Sequence, residues 1–235
     1  MLSIAAGRGS AGGASFTFAA EAAGGSGAGA AVLAGETWLE AGTWLHQRAD
    51  GDRSLLLEAA RCYQAAVRDG LTRERTPEAW ALAQNNLALA YLAIPAAAAS
   101  DQLRLGVAIQ ALREALQVYG RETHPAEWAS AQGNLANALQ YLPSTHPEQN
   151  LQQAVQLYDE LLEVRRIDAD PVGHALVLAN RANALAHLGL FQPSLDGLRK
   201  AYDLFHLHGR PDEAAAMLEQ VEAINAHRAT LVARD

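Results

Sequence analysis

The sequence predicts an all-α fold built from antiparallel helix pairs, and three observations carry that expectation. From Glu36 onward apolar residues recur at helical spacing, while alternating segments, Val/Ile/Thr runs and Asn-Gly hairpins are missing. The pattern also repeats: "RTPEAWALAQNNLALAY" (75–91) aligns with "THPAEWASAQGNLANAL" (123–139) at a spacing of 48, and a weaker copy, "ADPVGHALVLANRANAL" (169–185), follows at 46. Finally, each copy starts with a proline behind a residue suited to capping, at Thr76-Pro77, His124-Pro125 and Asp170-Pro171. Proline suits the first helical position because its missing N–H would have no partner there.

Residues 1–35 hold nine of the 19 glycines and little that could repay the cost of ordering, so a flexible tail is expected, followed by a helical domain over 36–235. The apolar island "SFTF" at 15–18 gives the tail an alternative role as a ligand, within the chain or between chains. The first helix, 36–49, contains "ETWLEAGTWLHQ" and exposes Trp38, Trp44 and Leu45 unless its neighbour covers them. A second helix is expected over 53–70, a Pro-initiated third over 77–93 and a fourth over 101–119. The fifth, 125–142, is the second Pro-initiated copy; the sixth, 147–165, follows "STHPE", where Thr145 and Glu148 have capping-box spacing. The seventh covers 171–188, the eighth 191–207 after a short turn, and the ninth, 211–230, closes the stack.

The alternate helices share a signature: a small residue, an aromatic or Leu four later, and a small or apolar residue three beyond. It reads Ala59/Tyr63/Ala66, Ala108/Leu112/Ala115, Ala154/Tyr158/Leu161 and Ser194/Leu198/Ala201. The Pro-initiated helices carry Leu87-Ala88-x-x-Tyr91 and Leu135-Ala136-x-x-Leu139; Ala182 and Leu185 continue this, and Arg181 departs from it. In these residues the chain resembles the tetratricopeptide repeat family, over about residues 36–230. The spacings of 48 and 46 exceed the family's usual repeat of about 34 residues, and the recurring Pro-x-x-Trp-Ala-x-x-Gln-x-Asn-Leu is similar to longer repeats of bacterial multi-repeat proteins. The resemblance implies a right-handed α-solenoid, a superhelix of about nine helices whose first helices line a concave groove.

On a helical wheel Trp80, Ala83, Leu87 and Tyr91 form the buried stripe, matched by Trp128, Ala131, Leu135 and Leu139. A separate face carries Leu82, Asn86, Leu89 and Ala93; then Ser130, Asn134, Asn137 and Tyr141; then Leu176, Asn180, Asn183 and His187. The candidate partner-binding groove is therefore Asn86, Leu89, Ser130, Asn134, Asn137, Tyr141, Asn180, Asn183 and His187. An amide both donates and accepts, which suits a peptide backbone. The competing role is structural bridging between helices, since Asn is a poor helix former. Gln84 and Gln132 are expected to bond between helices, and His174 to fill the place of the tryptophans.

Composition excludes several classes. A net charge of -8 with no basic stripe speaks against nucleic acid and anionic lipid, and no apolar run approaches the length of a membrane span. Cys62 is the only cysteine, so no disulfide forms within the chain, and a small buried thiol is expected there. With glycines interrupting the N-terminal apolar stretch, a cytoplasmic location is expected. His206 and His208 are spaced by two and do not share a helical face, while Glu160/Glu163 and Asp168/Asp170 are expected to be solvated. Phosphate-loop and nucleophile-elbow patterns are absent. The expectation is a non-catalytic protein–protein interaction module with no cofactor or metal, binding a protein or peptide partner; the alternative is a self-associating module using the tail and first helix.

Overall fold

The computed structural model describes residues 27–94 and 101–232, apart from the side chains of 101, 102, 231 and 232. The expectations for 1–26, including "SFTF", and for most of the loop "AIPAAAASDQ" lie outside the described residues. Among the described residues there are nine helices and no strand: α1 (Ala28–Arg48), α2 (Arg53–Asp69), α3 (Pro77–Ala93), α4 (Asp101–Ala115), α5 (Pro125–Gln140), α6 (Pro147–Val164), α7 (Pro171–His187), α8 (Phe191–Leu207) and α9 (Pro211–Val232). The chain divides into two compact units, Met1–Ala131 and Gln132–Asp235, with the boundary inside α5.

The first unit stacks α1 on α2, α2 on α3 and α3 on α4, and α1 also touches α3. Its repeated signature is the contact surface: Ala59, Ala66, Ala108, Leu112 and Ala115 are all wholly buried, and Tyr63 is 1% exposed. Between α1 and α2 the fit is tight enough to require a glycine, because a Cβ on Gly42 would lie 2.7 Å from the Tyr63 ring. Tyr63 fills that notch, so α1 is seated by a missing side chain on one helix and a large one on the other.

The second unit stacks α6 on α7, α7 on α8 and α8 on α9. Ala154, Tyr158 and Leu161 are buried on α6, as are Ser194, Leu198 and Ala201 on α8. The buried Ser194 hydroxyl donates to the Ala182 carbonyl at 2.7 Å, which satisfies the one polar atom in an otherwise small-residue contact. Toward the end of the chain Phe205, Ala214 and Met217 join the same core. The short α7–α8 turn is made by Gly189 at φ +75, a left-handed conformation natural to glycine.

The differences from expectation have local causes. Helix α1 begins at Ala28 and not at Glu36, so residues 28–35 are helical; Ala34 and Gly35 are buried, and Leu71 would meet a Cβ on Gly35. A stretch poor in large side chains is thus ordered by backbone-close packing. Leu45 is 2% exposed, Trp38 and Trp44 are half-buried, and the Arg48 guanidinium lies 4.2 Å from the centre of the Trp44 ring. The apolar surface offered for self-association is accordingly largely covered within its own unit. Helix α4 ends at Ala115 instead of 119: Gln117 and Val118 donate to the carbonyls three residues back, tightening the chain into turns that still bury Tyr119.

Capping follows the expectation at Asp170, whose Oδ1 accepts from the Gly173 amide at 2.8 Å. Thr76 instead closes the preceding turn, its Oγ1 accepting from the Thr72 amide and donating to the Thr72 carbonyl. The expected Thr145–Glu148 box does not form. The N-cap is His146, without a side-chain cap, and Ser144 Oγ accepts from the His146 amide and the Asn150 side chain. With His146 as the N-cap, Pro147 and Glu148 are the first and second helical positions, so Thr145 and Glu148 stand one residue out of the register a box requires.

Gly42→Ala should lower unfolding stability by about 1–3 kcal/mol, because the new methyl meets the Tyr63 ring. Gly106→Ala, a helix-interior change with nothing within 4 Å of the added carbon, should raise it by up to about 1 kcal/mol. Urea unfolding monitored by helical ellipticity measures both, and equal effects would contradict the packing described here.

Candidate functional site

In the first unit the polar faces of α1 and α3 meet over a half-open cavity of about 270 Å³ lined by Thr43, His46, Gln47, Tyr63 and Asn86. Its floor is Tyr63 from α2, whose hydroxyl lies 3.5 Å from His46 Nδ1, the outer limit of a hydrogen bond. Burial pushes the Tyr63 phenol up to about 12, opposed by the Thr43 hydroxyl, and burial also holds His46 below its ordinary value. At neutral pH the cavity therefore presents a neutral imidazole, a phenol, a hydroxyl and two amides, able to donate and accept without net charge. Of the expected groove residues here, Asn86 lines the cavity and receives a long 3.5 Å contact from the Asn85 amide, Leu89 is half-buried, and Ser130 is exposed on α5.

In the second unit Asn134 and Asn137 lie half-buried on α5, and Asn180 and Asn183 half-buried on α7. Tyr141 is 65% exposed just past the end of α5, and His187, the last residue of α7, is exposed. The four amides are not equivalent. Asn137 Oδ1 accepts from the Tyr158 hydroxyl at 2.5 Å, and the same hydroxyl accepts from Gln140 Nε2. Asn137 thus bridges α5 to α6, the structural alternative for these residues. Among the described residues, Asn134, Asn180 and Asn183 make no side-chain hydrogen bond, which leaves their donors and acceptors without a partner there.

The two units use one device. Tyr63 and Tyr158 occupy the same signature position, each is 1% exposed, and each sends its hydroxyl toward a polar residue of the preceding helix. Repetition of the second-helix signature marks Tyr63 in sequence. Thr43, His46 and Gln47 were missed because α1 lacks the initiating proline that aligns the other first helices, although their spacing places them on one face.

Several other positions behave as scaffold. Gln132, 5% exposed, donates to Glu160 Oε2 at 2.6 Å, tying α5 to α6. Gln84 makes no such bond and lines a cavity above Trp80. His174 is half-buried with Nδ1 2.7 Å from the Arg165 carbonyl, and Arg181, the departure from the repeat, reaches Asp159 on α6 at 2.6 Å. Cys62 is buried, and its thiol is pushed up to about 11 by burial and then by the Glu58 carboxylate. A thiol held protonated in this way is a packing group at neutral pH. The His206 ring stacks on Tyr202 at 5.8 Å. No helix among the described residues is long and apolar enough to cross a membrane. Neither the family models nor the curated proteins compared with the chain include one that matches it.

Burial raises Tyr63 and Tyr158, and burial with the Glu127 and Glu78 carboxylates takes Tyr119 to about 12. Their folded values lie above the unfolded value of about 10, so the stability they contribute is intact below about pH 10 and is lost as the pH rises through about 12. Phenolate absorbance and helical ellipticity should therefore change together in that window. Full titration of all six tyrosines near pH 10 with the helices intact would contradict their burial.

Proposed function

We propose that the protein is a non-catalytic protein–protein interaction module of tetratricopeptide-like character, an adaptor, scaffold or assembly factor that holds an extended peptide segment of a partner on the polar face of its first helices. The observation that carries this reading is the set of half-buried amides without partners among the described residues, Asn134, Asn180 and Asn183. A helix-interior Asn costs stability relative to Ala, and one that bonds nothing within the fold recovers none of that cost there. An extended backbone presents one donor and one acceptor per residue, the complement of a carboxamide.

The His46, Gln47 and Asn86 cavity of the first unit supports the same reading with the same uncharged chemistry. Neither surface is built around a cation or a carboxylate, so the preferred segment is weakly charged. A cytoplasmic setting fits a chain with a single buried cysteine.

Replacing Asn134 and Asn183 together by Ala in the full chain should weaken partner capture from native cell extract by about tenfold, as expected for losing two hydrogen bonds. Helical content should hold, and melting should stay level or rise slightly. Undiminished capture by this variant would remove the amides from the binding surface.

A further inference from the structure

The first unit carries a second surface, lined by α2, α3, α4 and the turns after them, that shares no residue with the cavity between α1 and α3. Two adjoining cavities, each about 490 Å³, have Val67, Trp80 and Glu114 in common and differ in character. One is mainly apolar: Leu87 and Ala111 join Val67 and Trp80, and Val107 stands 41% exposed among them. Gln84, Gln110 and Glu114 supply its polar groups. The other is mainly polar, lined by Thr72, Arg73, Glu74, Glu114 and Gln117.

The charges at the polar end are unequally engaged. Arg73, the cation there, donates to the Gln117 side chain, and among the described residues neither Glu74 nor Glu114 is paired with a cation. Glu114 is half-buried on α4, and its Oε1 accepts from Gln110 Nε2 at 2.7 Å. A carboxylate has room for about four such bonds, so Glu114 keeps acceptor capacity at the point where the apolar and polar cavities meet. Gln84 likewise makes no side-chain hydrogen bond among the described residues, and its amide faces the apolar cavity.

We propose that these two cavities bind a partner segment that carries an aromatic or leucine side chain two residues away from a lysine or arginine. In an extended segment such residues share one side, about 7 Å apart, as two adjoining cavities with a common tryptophan require. The apolar side chain displaces water from Val67, Trp80 and Leu87, and the cation meets Glu114 and Glu74 beside the Trp80 ring. Because Glu114 is half-buried, the apolar side chain also shields its pairing with the cation from solvent. The net charge of -8 favours approach of a basic segment. This surface is independent of the amide face, whose chemistry is uncharged.

The probes are the blocked peptides acetyl-Gly-Phe-Ser-Lys-Gly-amide and acetyl-Gly-Lys-Ser-Phe-Gly-amide, titrated to millimolar concentration into the full chain while the indole N–H signals of its tryptophans are followed by NMR. At least one order should shift the Trp80 signal and leave those of Trp38, Trp44 and Trp128 in place. Replacing the peptide lysine by glutamate, or its phenylalanine by alanine, should weaken binding several-fold. Glu114→Gln should abolish the preference for lysine over glutamate; should that variant misfold by ellipticity, Glu74→Gln should reduce the same preference. Joint replacement of Asn134 and Asn183 by Ala should leave the titration unchanged, which separates this surface from the amide face. The assignment is overturned by a Trp80 signal that neither order moves, by equal binding of the glutamate peptide, or by shifts of all four tryptophans. It is equally overturned by a lysine preference that survives the carboxylate substitutions, or by a Trp80 signal that moves with protein concentration alone, the mark of a second copy in the groove.

Discussion

Close approach of helices through small side chains is the constraint on which the rest of the structure depends. The buried alanines of α2 and α4, with Ala154 on α6 and Ser194 and Ala201 on α8, carry almost no side chain to hold neighbouring helices apart. At that separation a missing methyl matters, as at Gly42 under Tyr63, and a larger residue in the signature has to enter a matching notch. Dispersion and exclusion of water act over the whole contact, while the alanines themselves lose no rotamer freedom on burial. Helices rich in Ala and poor in large aliphatics can stack for this reason, and α1 extends into a Gly- and Ala-rich segment by the same means.

The tyrosine in two of the signatures joins packing to the polar surface. Its ring fills volume in the core, and its hydroxyl emerges beneath the preceding helix, where it needs a partner. Tyr63 finds His46, and Tyr158 finds Asn137 and Gln140. The polar faces of the first helices therefore have two layers of function: some residues satisfy the core from above, and others remain available. Asn137 belongs to the first group, and Asn134, Asn180 and Asn183 to the second. A burial pattern alone puts all four in one half-buried class.

Much of the fold was legible in the sequence because its determinants are local or periodic. Proline at the start of α3, α5, α6 and α7 announces a helix through the geometry of a single residue. The small–large–small signature identifies the buried face through spacing, and every one of its twelve positions proved buried. The start of α1 was not legible, since Ala28–Gly35 has the composition of a tail and becomes helical by packing on Ala66–Leu71, distant in sequence. The capping of α6 was misread for a related reason: Ser144 and Thr145 are both chemically able to accept, and the path of the turn selects Ser144.

The sequence by itself determined the all-α class, the helix order and the buried faces, because 3.6-residue periodicity and proline stereochemistry need no distant partner. Only the tertiary structure decided which polar residues are engaged. It brought Thr43, His46 and Gln47 to Asn86 across 39 or more positions of chain that share no motif, and it gave Asn137 to Tyr158 while leaving Asn134, three residues away on the same helix, without a partner among the described residues. The physical reason is that hydrogen bonding depends on ångström-scale distance and direction, whereas a periodic pattern specifies only the side of the helix from which a group emerges.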